Sequence, residues 1–365
     1  EASRGPYSEI VKRYTGGKRR MYEAARIRVL GPKFFKTWAK VKMFVKPDKY
    51  PRGLIDAKAP RAIQYRTPMY NLALATYLAP FEHSYYQYED SFGLRVVAKS
   101  LNNLERADNI VQASKMFDNP CYVLCDHSKF DSHVNVDHLK FLHSIYNNHF
   151  KSEQLRKLLR LQLVNTGYSK GGIKYRVKGT RMSGDYDTAL GNTLLNHYIL
   201  DFVFRHVKHH ILLDGDDSVI VLEKSDLDKI NWHEFSILGM TTTYEVVNEL
   251  TEVEFCRSRL VDVDRTPRFA RDWKRALANM GISVQTYPDH KTWMRYYAGV
   301  GLGELAMSSG VPILGPLALK LSKLSERPIL LPEYKFKGEF KHWIEVDDQA
   351  RLDYYLQWGI SPSEQ

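Results

Sequence analysis

Cysteine is scarce in this sequence, and long apolar runs are absent. The 365 residues include only Cys121, Cys125 and Cys256, and these form neither a C-x-x-C pair nor a zinc-type spacing with histidine. A disulfide framework and a structural zinc site are therefore not expected. The most apolar stretch, residues 311–321, is too short for a membrane helix and contains two prolines. We expect no membrane segment in this chain.

Signal sequences, internal repeats and low-complexity linkers are also missing. The first residues do not resemble a signal peptide, and the chain begins with Glu1 instead of Met. We therefore expect a processed piece of a longer protein, folded as one body of closely packed subdomains.

Positive charge is what the sequence has in excess. Lys and Arg number 53 against 42 Asp and Glu, which gives a net charge of +11. A basic protein favours a polyanionic partner because each neutralised phosphate releases condensed counterions. The 23 tyrosines supply faces that suit stacking on unpaired bases. Charge alone is equally compatible with a merely soluble basic protein.

The middle of the chain alternates short apolar strands with amphipathic helices. Residue patterns predict helices around 139–146 and 195–202, the latter with an inner face of Leu195, Tyr198, Ile199 and Phe202. An N-cap at Ser225 and a stop at Gly239 predict a third helix over 226–238. Strands are predicted at 121–125, 173–177, 210–213, 218–222 and 244–247, with a final hairpin at 253–256 and 259–263.

This order of elements predicts an α+β fold, in which helices back an antiparallel sheet. Residues 1–120 are basic and mixed in pattern, and residues 265–365 are expected to be mainly helical.

An acidic tripeptide, Gly215-Asp216-Asp217, joins two of the predicted strands. Alone it is a weak signal, because Asp-rich turns are common and usually solvated. Here apolar runs on both sides indicate a rigid turn at a sheet edge. Adjacent carboxylates on such a hairpin repel each other unless a cation is present, and hard oxygen ligands suit Mg²⁺.

A second acidic motif, CDHSKFD, occupies residues 125–131. The strand at 121–125 would place Asp126 at its C-terminal end. If that strand lies beside the 210–222 hairpin, Asp126 meets Asp216 and Asp217. Three carboxylates could then hold two divalent ions, as in-line phosphoryl displacement requires. Taken singly, Asp126 is also compatible with a helix N-cap.

A third motif, SGDYDTALGN, spans residues 183–192. Ser183 and Gly184 indicate a flexible loop that enters a helix. Thr188 and Asn192 are four residues apart and therefore share one helical face. The alternative is a plain helix start capped by Ser183 or Asp185.

In this order and at these spacings, the three motifs resemble motifs A (D-x4-D), B (SG-x3-T-x3-N) and C (GDD) of RNA-dependent RNA polymerases. Residues 44–66 look like the basic finger segment, motif F, of tombusvirus-like polymerases. Residues 254–257 and 310–314 resemble their motif E and a thumb segment. The resemblance implies a right-hand fold of a positive-strand RNA virus replicase core. Its fingers would span 1–120, its antiparallel-sheet palm 121–264 with inserted finger elements at about 150–180, and its mainly helical thumb 265–365.

The resemblance also implies a mechanism, template-directed RNA synthesis from NTPs. Two Mg²⁺ or Mn²⁺ ions would be held by Asp126, Asp216 and Asp217. Asp131 and Asn192 would together read the ribose 2′-hydroxyl, since an amide can donate to a carboxylate and also reach a hydroxyl.

Other substrate contacts are expected from the basic finger segment and motif B. Arg61 and Arg66 are the expected triphosphate ligands, because a guanidinium fork matches phosphate oxygens. The remaining expected contacts are the weaker finger candidates and the residues that position template or nucleotide: Arg52, Lys58, Ser183, Gly184 and Thr188.

Two positions depart from the family pattern. The turn at residues 239–243 reads GMTTT and lacks the Lys that often stands there, so another group or water would protonate pyrophosphate. Arg257 stands in motif E where Gln is usual.

Two other functions stay open at this point. A reverse transcriptase or another palm-fold DNA polymerase would carry the same acids, but Asp131 with Asn192 favours ribonucleotides. A non-catalytic RNA-binding replication scaffold would gain nothing from three acids in a basic groove. The expected partners are RNA template, product strand, NTPs and other viral replication proteins. The expected location is the host cytoplasm, in membrane-associated replication complexes reached through parts not in this chain.

We expect Asp216→Ala to abolish Mg²⁺-dependent RNA synthesis and to leave the protein folded, because the acids repel one another and are not core residues. Nucleotide incorporation and circular dichroism measure the two effects. Incorporation retained at more than a small fraction of wild type would refute the assignment.

Overall fold

The computed structural model describes residues 4–31, 36–50, 52–54, 56–57, 59–283, 285–330 and 343–365. Within these ranges the chain forms thirteen α-helices and eleven strands. The helices are α1 (Tyr7–Lys12), α2 (Gly16–Val29), α3 (Pro68–Tyr85), α4 (Asn103–Ser114), α5 (Phe130–His133), α6 (Val136–Phe150), α7 (Glu153–Arg160), α8 (Thr188–Val203), α9 (Glu234–Ile237), α10 (Trp273–Asn279), α11 (His290–Ser308), α12 (Leu314–Ser322) and α13 (Asp348–Trp358).

The strands form three sheets. Their bounds are β1 (Val41–Val45), β2 (Ala62–Tyr65), β3 (Pro120–His127), β4 (Val164–Ser169), β5 (Lys174–Lys178), β6 (His209–Asp214), β7 (Asp217–Glu223), β8 (Thr242–Val247), β9 (Glu254–Phe255), β10 (Ser258–Val263) and β11 (Thr266–Arg271). The first sheet has the order β2-β1-β4-β5, the second β11-β10-β9, and the third, which we call the central sheet, β6-β7-β3-β8.

The central sheet is antiparallel throughout and carries a hydrophobic core on each face. Because side chains alternate across a strand, Ile220 and Leu222 of β7 pack into one core, which also contains residues of α3, α6 and α8. Val219 and Val221 pack into the other, which contains residues of α4, β10 and β11. Burial on both faces explains why β7 is apolar at four consecutive positions.

The predicted α+β class with an antiparallel sheet is confirmed, and most predicted strands are present. The predicted helix over 226–238 is wrong. The chain there forms a 3₁₀ segment at Lys224–Lys229 and only the short α9. Ile230 has an extended backbone, with φ −88° and ψ 125°, and Trp232 stacks on Tyr244 of β8 with ring centroids 3.9 Å apart. Docking of the indole on the sheet thus interrupts the helix.

The predicted inner face of α8 is half wrong. Leu195 and Ile199 are buried, whereas Tyr198 and Phe202 are each 45% exposed. Leu194 and Leu200 fill the remaining core positions, so the aromatic residues lie on the outer edge of the helix. There the Phe202 ring contacts the guanidinium of Arg205 at 4.0 Å.

The region after residue 264 begins with a strand and then becomes helical. β10 and β11 pair along their full lengths, so this hairpin crosses the predicted boundary at residue 264. Val261, Ala270 and Tyr354 share a small core that joins the hairpin to α13. Among the described helices, none combines the length and the apolar character that a bilayer span requires.

Candidate active site

The acidic tripeptide lies at the tip of the β6–β7 hairpin. Asp214 pairs with Asp217, which leaves Gly215 and Asp216 as a two-residue turn. Gly215 has φ +72°, and a positive φ at only the first turn position is typical of type II′ hairpins, which favour glycine there. The turn exposes Asp216 toward a cavity of about 840 Å³. We call this the nucleotide-side cavity.

Strand pairing brings the other acidic motif to the same edge. β3 and β7 pair with Cys125 opposite Ser218, so the next residues outward, Asp126 and Asp217, are neighbours. Both line a second cavity of about 620 Å³, together with Cys256 and Arg257 of the β9–β10 turn. We call this the strand-side cavity. The predicted convergence of strand 121–125 with the hairpin is confirmed.

The acids at this edge repel one another. Desolvation raises the pKa of Asp217, and the charges of Asp216, Asp214 and Asp126 raise it further. In the described part of the chain, no three His, Cys, Asp or Glu side chains are grouped closely enough to hold a metal ion as they stand. A divalent cation is what such carboxylate oxygens would gather around.

A fourth aspartate, which sequence analysis did not single out, is already neutralised. Asp214 forms ion pairs with Lys99 and with Arg106, whose Nη2 lies 2.7 Å from the carboxylate. Burial would raise the pKa of Asp214, but these two cations together lower it below its ordinary value. Asp214 is thus occupied within the protein, unlike Asp216 and Asp217.

A buried polar chain holds the acidic turn from below. Asn196 of α8 donates through Nδ2 to the Gly215 carbonyl at 3.0 Å. Its Oδ1 lies 2.9 Å from Nε2 of His127, and His127 Nδ1 lies 2.7 Å from the Thr242 hydroxyl. Burial lowers the pKa of His127, and its imidazole bridges β8 and α8. Sequence analysis missed Asn196, although it continues the four-residue spacing of Thr188 and Asn192.

The nucleotide-side cavity collects many of the predicted substrate residues. It is bounded by β2, the loop before α8, α5 and the acidic turn. The predicted residues that line it are Arg61, Asp131, Ser183, Thr188, Asn192 and Asp216. Three further cations line it that sequence analysis did not name: Lys46, Lys129 and Arg181. The lining of the cavity therefore contains both basic and acidic side chains, and the charge of Arg181 among them is paired with Asp187.

The predicted hydrogen bond between Asp131 and Asn192 is present. Asn192 Nδ2 donates to Asp131 Oδ1 at 2.7 Å. The buried Arg181 donates from Nε to Asn192 Oδ1 at 3.3 Å and from its backbone N–H to the Asp131 carbonyl at 2.8 Å. Arg181 thereby fixes which end of the Asn192 amide faces Asp131.

Ser183 and Gly184 hold the loop before α8 against β2, and Thr188 binds within that loop. Ser183 Oγ accepts from the Gln64 backbone N–H at 3.1 Å, and the Gly184 N–H donates to the Gln64 carbonyl at 2.7 Å. A Cβ on Gly184 would lie 2.6 Å from Cβ of Tyr65, so only glycine fits. Thr188 donates its hydroxyl to backbone carbonyls of its own loop.

The expectation that Arg66 binds a triphosphate is wrong. Its side chain is 1% exposed and paired with Asp185, with Nε 2.8 Å from Oδ1. It also donates to the Ala39 carbonyl and to Asn165. Its donors point into the protein, where a second buried pair, Arg181 with Asp187, lies close by and Gln162 bridges the two aspartates.

The other finger candidates have different positions. Arg61 is exposed, lines the nucleotide-side cavity and pairs with Asp48 through two hydrogen bonds of 2.6 and 2.9 Å. Arg52 is exposed on a short 3₁₀ segment and is not among the residues lining that cavity. Lys58 lies outside the described residues.

An α+β fold that presents aspartates beside a basic cavity is of the kind that nucleotidyl transferases use. Comparisons with known proteins agree. A family model for viral RNA-dependent RNA polymerases matches residues 1–365. The RNA-directed RNA polymerase of turnip crinkle virus is 32% identical over 349 residues, which cover 90% of this chain and 45% of that protein. That of groundnut rosette virus is 32% identical over 378 residues, covering 96% and 44%.

The RNA-directed RNA polymerase of carnation mottle virus is 30% identical over 379 residues, which cover 98% of this chain and 49% of that protein. The chain belongs to the viral RNA-dependent RNA polymerase family. It spans less than half the length of these three relatives. The resemblance to tombusvirus-like polymerases that the motifs indicated is confirmed.

We expect Arg66→Met to lower the free energy of unfolding by about 3–5 kcal/mol, because Asp185 would be left buried without its partner. Urea denaturation measures this. Arg61→Met is the matched control, since its ion pair is exposed and such pairs contribute at most about 1 kcal/mol. Equal, small losses in the two variants would contradict the structural role of Arg66.

Proposed function

We propose that this chain is the catalytic core of an RNA-directed RNA polymerase that replicates a viral RNA genome. The observation that carries the proposal is the pairing of β3 with β7. It puts Asp126 beside Asp217, with Asp216 on the adjoining turn, between the nucleotide-side and strand-side cavities. Incoming nucleotide and growing strand would meet at these acids.

The proposed architecture is a right hand. The central sheet with α6 and α8 would be the palm, within residues 121–264. Residues 1–120 would form the fingers, with the β4–β5 hairpin as an inserted finger element, and residues 265–365 the thumb. The β2-β1-β4-β5 sheet supports the finger assignment, because it joins residues of the basic segment to that hairpin and borders the nucleotide-side cavity.

The acids fit the proposed metals. Asp126, Asp216 and Asp217 are exposed and offer hard oxygen ligands, whereas the neighbouring Asp214 is taken up by Lys99 and Arg106. When bound, two Mg²⁺ or Mn²⁺ ions would activate the 3′-hydroxyl and neutralise the leaving pyrophosphate. The repulsion that raises the pKa of Asp217 would favour cation binding.

Residues of the chain would bind and orient the nucleotide. Arg61, Lys46 and Lys129 provide the positive wall of the cavity for a triphosphate. Asp48, which pairs with Arg61, would give up that contact when phosphate arrives. Arg52 does not line this cavity, and Lys58 lies outside the described residues.

Selection of ribonucleotides distinguishes this proposal from a DNA polymerase with the same acids. The Asp131–Asn192 hydrogen bond lies in the wall of the nucleotide-side cavity. A polar pair built around a hydroxyl penalises a substrate that lacks it, because its buried partners lose their hydrogen bond. The remaining alternative, a non-catalytic RNA-binding scaffold, gives no reason for exposed repelling acids beside basic walls.

The proposed partners are the RNA template and product strand, NTPs and other viral replication proteins. We place the protein in membrane-associated replication complexes of the host cytoplasm. These proposals about other viral proteins and location rest on the family alone.

Primer extension with Mg²⁺ and a labelled NTP tests the proposed function. Wild type should extend the primer in the order that the template dictates, and Asp126→Asn should not, because a metal ligand is lost. Asp137→Asn is the control, since Asp137 is an exposed aspartate on α6, and it should extend as wild type does. RNA binding without synthesis by wild type would support the scaffold alternative instead.

We expect Asn192→Ala to reduce the preference for NTP over dNTP by ~10- to 100-fold, as befits loss of a hydrogen bond of ~1.5–3 kcal/mol. Competing incorporation of NTP and dNTP measures the preference. Asn109→Ala is the control, because Asn109 is similarly buried but bonds His210 on the far side of β6. Unchanged preference in a stably folded Asn192→Ala protein would refute the sugar-reading role.

A further inference from the structure

The guanidinium of Arg106, at the start of α4, joins three segments around the acidic turn. It donates from Nη2 to Asp214 at 2.7 Å and from Nη1 to Cys256 Sγ at 3.6 Å. It also donates to the carbonyls of Leu101 and Ala98, each at 3.0 Å. The Arg106 side chain is only 18% exposed. Its contacts and burial therefore hold it in one position.

The segment whose carbonyls accept hydrogen bonds from Arg106 lies along the open edge of the central sheet. Val97 pairs with Leu213 in a parallel bridge, and the Ala98 N–H donates to the Leu213 carbonyl at 2.8 Å. The Leu213 N–H donates back to the Val96 carbonyl at 2.9 Å. Residues 96–101, which we call the edge segment, therefore cover β6 up to the residue before Asp214, and Lys99 within it supplies the second cation.

On its other side, Arg106 contacts the β9–β10 turn. Cys256 and Arg257 of this turn line the strand-side cavity together with Asp126 and Asp217. Both residues have positive φ, 50° and 61°, so the turn is tightly constrained. Arg106 also lies over the ring of Phe255, 5.7 Å from its centroid. One side chain thus connects the acidic turn to the opposite wall of that cavity.

We propose that Arg106, with Asp214 and Lys99, is a positioning device for the reaction. It fixes the acidic turn relative to the β9–β10 turn, so that Asp216 and Asp217 face both the metals and the end of the growing strand. The inference rests on the proposed function and deepens it. None of the three residues is itself a metal ligand, because the Asp214 oxygens are held by Lys99 and Arg106.

The geometry explains why an arginine is needed. The guanidinium of Arg106 donates at once to two backbone carbonyls, a carboxylate and a sulfur. An ammonium carries the same charge, but all of its donors are on one nitrogen. Arg106→Lys therefore keeps the local charge and removes the geometry. Displacement of catalytic groups by about 1 Å can cost ~10²-fold in rate.

The test compares Arg106→Lys with wild type by two readouts. In primer extension, kcat should fall by ~10- to 100-fold and the Mg²⁺ concentration for half-maximal rate should rise, while KM for NTP stays within about twofold. In calorimetric titration with Mn²⁺, without NTP or RNA, the affinity should fall at least about threefold. Because the charge is conserved, electrostatic attraction of the metal is not altered in either measurement.

Arg205→Lys is the matched control. Arg205 forms a two-bonded ion pair with Glu234 between α8 and α9, and its loss should leave the Mg²⁺ requirement and the Mn²⁺ affinity unchanged. If Arg106→Lys does not fold, Asp214→Glu applies the same test, because the longer side chain shifts the turn at constant charge.

Wild-type Mg²⁺ requirement, kcat and Mn²⁺ affinity in a folded Arg106→Lys or Asp214→Glu protein would overturn the positioning role. A lower melting temperature with an unchanged Mg²⁺ requirement, kcat and Mn²⁺ affinity would also overturn it, because Arg106 would then stabilise the fold without positioning the acids. If wild type makes no RNA, the proposed function fails, and the Mn²⁺ titration still decides whether Arg106 positions the acids.

Discussion

The pairing register of β3 and β7 is the constraint on which the site depends. With Cys125 opposite Ser218, Asp126 and Asp217 emerge together at the sheet edge. A slip of one residue would turn every side chain of a strand to the other face. Two hydrophobic cores, one on each face, make such a slip costly, because alternate residues of β7 are committed to different cores. The core thus places the acids, although the acids themselves contribute nothing to packing.

Polar groups then convert this rough placement into a defined one. Asn196 holds the Gly215 carbonyl, Arg181 orients Asn192, and the Asp185 and Asp187 pairs with Arg66 and Arg181 stabilise the loop before α8. Burying such charges is costly unless every partner is present. The geometry of these pairs explains how the loop before α8 keeps a defined position beside carboxylates that repel one another.

Much of this structure could be predicted from local sequence patterns. The hairpin at 210–222 and the strand that carries Asp126 followed from strand patterns, and the Asp131–Asn192 pair followed from the resemblance to the polymerase motifs. Arg66 and Asp214 were misjudged or missed for a common reason, since the residues that pair with them are distant in sequence. From the local sequence, Arg66 resembles a phosphate ligand. The structure pairs it instead with Asp185, 119 residues away. Asn196 could have been predicted from the sequence, because Thr188, Asn192 and Asn196 follow one four-residue spacing on α8.

The central claim is that Asp126, Asp216 and Asp217 together hold the catalytic metals. Crystals of the protein with Mn²⁺, RNA and an unreactive NTP analogue, measured near the manganese absorption edge, test it directly by anomalous scattering. The account predicts two manganese peaks bounded by these three carboxylates, with Asp214 still paired to Lys99 and Arg106. Manganese bound by Asp214, or bound only at sites away from the β3–β7 edge, would contradict it.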